Sequence, residues 1–184
     1  LKIYTTINSH MQQYAEEAMY QHVARYLQPR FSAEIARKPS SPYSDKLTPK
    51  QIKIIMNRSI VQSERYRTMK AAGYSEDEIK AAFRKKQEMT VFTYHGDIDT
   101  LMSPLDSIRY YKSFLRSGFM SMDPKTGAVK AYVGGLDYPH FMYDMVTGGR
   151  RQVGSTIKPF LYALAMENGF SPCDKAPNRQ QTYI

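Results

Sequence analysis

The sequence predicts an α+β fold, antiparallel strands with helices, and three observations predict it. Apolar residues recur at helical spacing in stretches that begin near residues 9, 49, 75, 103 and 155. Two short apolar runs flank Asp123-Pro124-Lys125-Thr126-Gly127, which reads as a hairpin turn. Hydrophobic residues make up 42% and charged residues 23%, a balance that suits a chain able to build a core.

Lys2 to Ile7, rich in β-branched and aromatic residues, reads as a strand. Ser9 with Gln12 reads as a capping box. Met11, Tyr14, Ala15, Ala18, Met19, His22, Val23 and Tyr26 then line one face of a helix that Pro29 stops after Leu27. His22 reads as a core-edge residue. The Pro- and Ser-rich stretch 29–47 reads as loop or linker. Thr48-Pro49-Lys50-Gln51 restarts a helix that carries Ile52, Ile55, Met56, Ile60 and Tyr66 to Gly73. Ser75 and Glu78 box a short helix around Ile79, Ala82 and Phe83. Met89 to Tyr94 is strand-like, His95-Gly96-Asp97 is a turn, and an extended stretch follows. Ser103-Pro104 opens a helix with Leu105, Ile108 and Leu115 that stops at Gly118. Residues 119–122 and 128–133 form the hairpin, and an apolar helix follows Ser155 as far as Asn168-Gly169.

Composition excludes several classes. The 184 residues allow one domain, or one and a piece, and their make-up excludes whole-chain disorder. One cysteine, Cys173, excludes a disulfide scaffold and a Cys-based zinc site. No apolar run is long enough to span a bilayer, and no signal peptide opens the sequence. A chain that begins at Leu1 and stops at Thr182-Tyr183-Ile184 is expected to be a piece of a longer protein. Lys and Arg number 26 against 17 Asp and Glu, a formal net charge of +9. Such a charge can serve nucleic acid or an anionic surface. The cations are scattered, with only short clusters at Arg84-Lys85-Lys86 and Arg150-Arg151, and no basic–aromatic or finger spacing is present. Nucleic acid is therefore not expected as a partner.

The candidate chemistry lies at Ser155 and Lys158. Three residues apart at the start of a helix, they share one face. A serine hydroxyl needs a neighbouring base to attack, and a lysine amine can be that base when burial or nearby positive charge favours its neutral form. The helix start offers free N–H groups to an oxyanion, and Gly154 permits a tight turn. A Ser-x-x-Lys arises by chance about once in a few hundred residues, so the pair alone is a weak signal. It gains weight inside Arg151-Gln152-Val153-Gly154-Ser155-Thr156-Ile157-Lys158-Pro159-Phe160, after a hairpin and at the head of an apolar helix. Ser-x-x-Lys is the nucleophile motif of penicillin-binding proteins and serine β-lactamases.

That ten-residue segment resembles the active-serine region of class A, bifunctional penicillin-binding proteins. Met122 to Gly127 with Tyr132-Val133-Gly134-Gly135 is similar to the family's first core hairpin. Thr5-Thr6-Ile7 and the helix from Met11 to Ala18 are similar to the opening of its transpeptidase domain. Tyr143-Asp144 and Asp106 to Lys112 resemble a Bacteroidetes-type version. The resemblance implies the incomplete front part of a penicillin-binding-protein/β-lactamase-like transpeptidase fold. It divides the chain into 1–28, the start of that domain; 29–117, a mostly helical inserted or linker region with a short hairpin; and 118–184, the core hairpin and active-serine helix.

The resemblance further implies a D,D-transpeptidase that cross-links peptidoglycan stem peptides and is inhibited by β-lactams. Ser155 would be the acylated nucleophile, Lys158 its general base, and the Ser155 N–H half of the oxyanion hole. A glycosyltransferase domain and a membrane anchor are expected upstream, on the periplasmic face of the cytoplasmic membrane, where +9 suits anionic lipid and cell wall. No cofactor and no metal are expected. The family also uses a Ser-x-Asn, which is absent from this chain, and a later Lys-Thr-Gly. Lys125-Thr126-Gly127 precedes the serine and reads as turn chemistry, so the chain alone is expected to be inactive.

Other residues carry bland readings. Cys173 reads as a structural thiol, His10, His95 and His140 as isolated, and Asp97 with Asp99 as a solvated hairpin. The Tyr-rich stretch 138–143 reads as core packing rather than a sugar platform. A serine β-lactamase or D,D-carboxypeptidase of the same superfamily is the alternative enzyme class. A non-catalytic interaction or linker module built on 29–117 is the alternative outside enzymes.

Overall fold

The computed structural model describes residues 2–175, and its first regular element begins at Ser9. Residues 2–7 form no strand. Thr6 Oγ1 donates to the Val129 carbonyl at 2.7 Å and Asn8 N–H to that of Lys130 at 2.9 Å, but these residues are exposed and no ladder follows. Strand propensity expresses packing, and here nothing is packed. Asn8, not Ser9, is the cap. Its side chain accepts from Met11 N–H at 3.1 Å and opens α1, Ser9–Met19.

The helix does not stop at Pro29. A π-helical segment, Tyr20–Leu27, runs straight into α2, Gln28–Ile35. Gln28 N–H donates to the Val23 carbonyl, five residues back. In a straight α-helix the Pro29 ring would strike the carbonyl four residues earlier; the wider π turn just before it relieves that clash. Irregular chain therefore begins after Ile35 rather than at residue 29. Val23 and Ala24 are buried, whereas His22 is on the surface, stacked on Tyr26 with ring centres 5.5 Å apart.

Thr48 and Gln51 form the expected capping box of α3, Pro49–Gln62. The expected single helix to Gly73 is broken at Ser63, whose backbone is extended. Its hydroxyl donates to the Ile60 carbonyl at 2.6 Å and accepts from Tyr66 N–H at 3.3 Å. One side chain thus closes α3 and opens α4, Glu64–Ala71. Gly73, at φ +86°, ends α4, and the Ser75–Glu78 box opens α5, Glu76–Arg84. Ile79 and Phe83 point inward from α5, 1% and 2% exposed.

Strand β1, Gln87–Val91, pairs antiparallel with β2, Ile98–Met102. It starts two residues before the expected stretch and leaves Phe92 to Tyr94 outside the ladder. Helix α6, Pro104–Lys112, is capped by Ser103, which accepts from Asp106 N–H at 3.1 Å. It ends before Leu115. Phe92 anchors an aromatic cluster, its ring centre 5.4 Å from Phe114 and 5.1 Å from Phe141, both edge-on. Tyr110 Oη donates to the Phe92 carbonyl at 2.6 Å, and Phe92 N–H donates to Tyr111 Oη at 3.1 Å.

Strands β3, Phe119–Met122, and β4, Val129–Val133, form the expected antiparallel hairpin, with an irregularity between Ser121 and Met122. Asp123 Oδ1 accepts from Lys125 and Thr126 N–H, each at 2.9 Å, and Gly127 sits at φ +72°. Lys125-Thr126-Gly127 is therefore part of a turn. Ala131 and Val133 pack against Ala15 and Met19 of α1. The other edge of β4 is covered by α1: Gln12 Nε2 donates to the Tyr132 carbonyl at 2.9 Å, and Tyr132 N–H donates to Gln12 Oε1 at 2.7 Å. These two hydrogen bonds occupy the Gln12 amide, so it does not close a capping box. The chain divides into two units, Leu1–Gly148 and Gly149–Ile184.

Candidate active site

In the unit Gly149–Ile184, Ser155 lies in a 3₁₀ turn, Gly154–Ile157, that leads into α7, Lys158–Glu167. Gly154 takes φ +53°, a left-handed conformation that costs a side-chain-bearing residue about 1–2 kcal/mol. With that reversal, Thr156 N–H donates to the Val153 carbonyl at 3.2 Å, and Lys158 N–H donates to the Ser155 carbonyl. Thr156 Oγ1 also donates to the Val153 carbonyl. Pro159 falls in the first turn of α7, where no N–H is required. The local sequence thus sets Ser155 at a tight turn and Lys158 at the head of the helix.

Ser155 and Lys158 are both exposed. Among the described residues, no side chain forms a hydrogen bond or ion pair with Ser155 Oγ or Lys158 Nζ. The Ser155 N–H, at the start of the turn, meets no backbone acceptor among the described residues. Phe160, Leu161, Tyr162, Leu164 and Met166 of α7 are also exposed. Cys173 is exposed in the turn Ser171 to Asp174 rather than packed as a structural thiol.

In the unit Leu1–Gly148, Asp144 organises the segment that follows β4. Its carboxylate accepts from Tyr132 Oη, from Thr147 Oγ1 at 2.7 Å and from Val146 N–H at 2.8 Å. The Tyr132 hydroxyl, helped by Thr147, holds the Asp144 carboxyl down at about 2, and the same bond pushes the Tyr132 phenol up. Met145 N–H donates to the Gly134 carbonyl at 2.8 Å and Gly148 N–H to that of Asp144 at 3.0 Å. A Cβ at Gly148 would sit 2.7 Å from the Asp144 carbonyl oxygen, so this loop tolerates only glycine there. Sequence reasoning noticed Asp144 only as part of a resemblance. The usable signal was an aspartate three residues before a threonine, an arrangement that ties down local N–H groups.

The Tyr-rich stretch divides. Phe141 is buried, as core packing requires, but Tyr138 and Tyr143 are 74% and 60% exposed beside a recess of about 670 Å³. His140 is not isolated: Nδ1 lies 2.7 Å from Asp137 and Nε2 3.3 Å from Asp97. Asp99 accepts from Thr90 Oγ1 at 2.7 Å across the β1–β2 ladder.

Comparison with known proteins finds two matching domain models. The penicillin-binding protein middle domain matches residues 38–115, and the penicillin-binding protein transpeptidase domain matches residues 117–183, which include Ser155 and Lys158. Two penicillin-binding-protein domain models thus match adjacent stretches of the chain, 38–115 and 117–183. Penicillin-binding protein 2D of Bacillus subtilis is 48% identical over 60 residues, 33% of this chain and 9% of that protein. Penicillin-binding protein 1A of Escherichia coli is 46% identical over 57 residues, 31% of this chain and 7% of that protein. Penicillin-binding protein 1A of Pseudomonas aeruginosa is 41% identical over 56 residues, 30% of this chain and 7% of that protein. The matched stretch therefore spans less than a tenth of each relative. No solved structure matches the chain. Residues 117–183 are thus similar to a transpeptidase domain, and among the described residues no helix is long and apolar enough to cross a membrane.

Proposed function

We propose that this chain is part of a bifunctional, class A peptidoglycan synthase whose D,D-transpeptidase reaction runs through Ser155. Ser155 Oγ attacks the carbonyl of the penultimate D-Ala of a stem peptide, and its proton passes to Lys158 Nζ. The tetrahedral oxyanion forms beside the Ser155 N–H. Collapse breaks the C–N bond, the proton from Lys158 goes to the departing D-Ala amine, and an acyl-serine ester remains. An amine of a second stem peptide attacks that ester, completes the cross-link and returns the proton to Ser155 Oγ. β-Lactams acylate the same oxygen by ring opening.

The observation that carries this reading is the left-handed Gly154 turn, which sets Ser155 and Lys158 at the head of an apolar helix. The absence of a Ser-x-Asn from the sequence supports a second part of the proposal: the chain alone is inactive. In the parent protein, further chain carrying Ser-x-Asn and Lys-Thr-Gly covers the pair and excludes water. A glycosyltransferase domain and a membrane anchor precede the chain, which works on the periplasmic face of the cytoplasmic membrane, close to anionic lipid and cell wall.

Labelling with a fluorescent penicillin tests both parts. The parent protein takes up label and its Ser155→Ala variant does not, while the 184-residue chain stays unlabelled. Equal labelling of parent and variant overturns the assignment of Ser155. A stable adduct on the chain alone overturns its inactivity.

A further inference from the structure

A groove between α3, α5 and α6 plays no part in the chemistry above. Its volume is about 520 Å³. The floor is apolar: Met56 and Phe83 are buried, and Ile52, Ile60 and Leu105 are half-buried with their outer faces open to the groove. The rim is cationic, with Lys53 from α3, Lys80 and Arg84 from α5, and Arg109 from α6. No Asp or Glu lines it. Lys80 and Arg109 lean on Asp77 at 3.0 Å and Asp106 at 3.1 Å, exposed pairs that hold a charge only weakly. Among the described residues, Lys53 and Arg84 have no ion-pair partner.

Ile52, Met56 and Ile60 stand four residues apart, so they form one ridge along about 12 Å of α3. A ridge beside a groove of that length accepts about two turns of another helix. The cations come from all three helices rather than from one cluster. That distribution matches carboxylates spaced along a helix better than a single phosphate headgroup. We propose that this groove docks an amphipathic, acidic helix of a partner protein, its apolar face on Met56 and Phe83 and its carboxylates against Lys53 and Arg84. The inference stands independently of the acylation chemistry at Ser155.

The test is a fluorescein-labelled peptide of about five helical turns, Leu along one face and Glu along both flanks, titrated with the 184-residue chain. Saturable binding is expected, weakened about tenfold or more both by high salt and by the double variant Lys53→Glu/Arg84→Glu. Both side chains are exposed, so the variant keeps its fold, which circular dichroism checks. Equal binding of a peptide with the same composition in scrambled order overturns the proposal, as does an affinity that ignores the charge reversal. Binding confined to phosphatidylglycerol vesicles, with no saturable peptide binding, assigns the groove to lipid and also overturns it.

Discussion

Gln28 holds the backbone of Leu115, 87 residues further along the chain: Leu115 N–H donates to Gln28 Oε1 at 2.8 Å. The other end of the same amide, Nε2, donates to the Ser113 carbonyl at 2.9 Å. Gln28 is buried, 7% exposed, and acts as a peptide group in place of a strand neighbour. It fastens the segment leaving α6 to the first turn of α2. Gln12 does the same for Tyr132.

Replacing Gln28 by Leu keeps the volume and removes both bonds. Two backbone groups then lose their partners beside a buried side chain, a loss of about 2–4 kcal/mol. Urea denaturation of the chain should show that drop, with Gln28→Glu no better, because a carboxylate would face the Ser113 carbonyl.

The Tyr132–Asp144 bond makes part of the stability depend on pH. The Asp144 carboxyl is held at about 2, below its ordinary 3.8, so the stabilisation is complete above that ordinary value and is lost as pH falls from there through about 2. The urea midpoint of the wild-type chain should fall over that window more steeply than that of Tyr132→Phe. Parallel curves would contradict it.

Ser63 serves two helices with one hydroxyl. Ser63→Ala should cost about 1 kcal/mol, in the range of a lost helix cap. Ser63→Asp, which still caps α4 but cannot donate to the Ile60 carbonyl, should recover part of that loss in the same denaturation assay.

Gly154→Ala meets no steric obstacle, since no atom lies within 4 Å of the added Cβ. Its effect is confined to the left-handed backbone, about 1–2 kcal/mol. In the parent protein it should slow acylation by penicillin roughly tenfold, the rate equivalent of that energy, without loss of the fold. Unchanged acylation would show that the turn does not set the serine.

Much of the local chemistry was legible in the sequence. The Thr48 and Ser75 capping boxes, the Asp123 to Gly127 turn and the Gly154 turn into α7 depend on neighbours within a few residues. Other features were not legible. Gln12 looked like a cap because its true partner, Tyr132, is 120 residues away. Pro29 looked like a stop because a π segment leaves no simple periodic mark. Ser63 was hidden inside an apolar period that continues across the break between α3 and α4. For the candidate site, the Ser155–Lys158 spacing and its helical position were legible. The groups that would complete it were not, because a Ser-x-Asn is absent from the 184 residues.

Peptide mapping of the parent protein after brief exposure to benzylpenicillin reports whether Ser155 is the acylated residue. One added penicilloyl mass is expected, on the peptide that contains Gly154-Ser155-Thr156-Ile157-Lys158, absent from Ser155→Ala and strongly slowed in Lys158→Ala. An adduct on any other residue, or none on a folded parent protein, would contradict it.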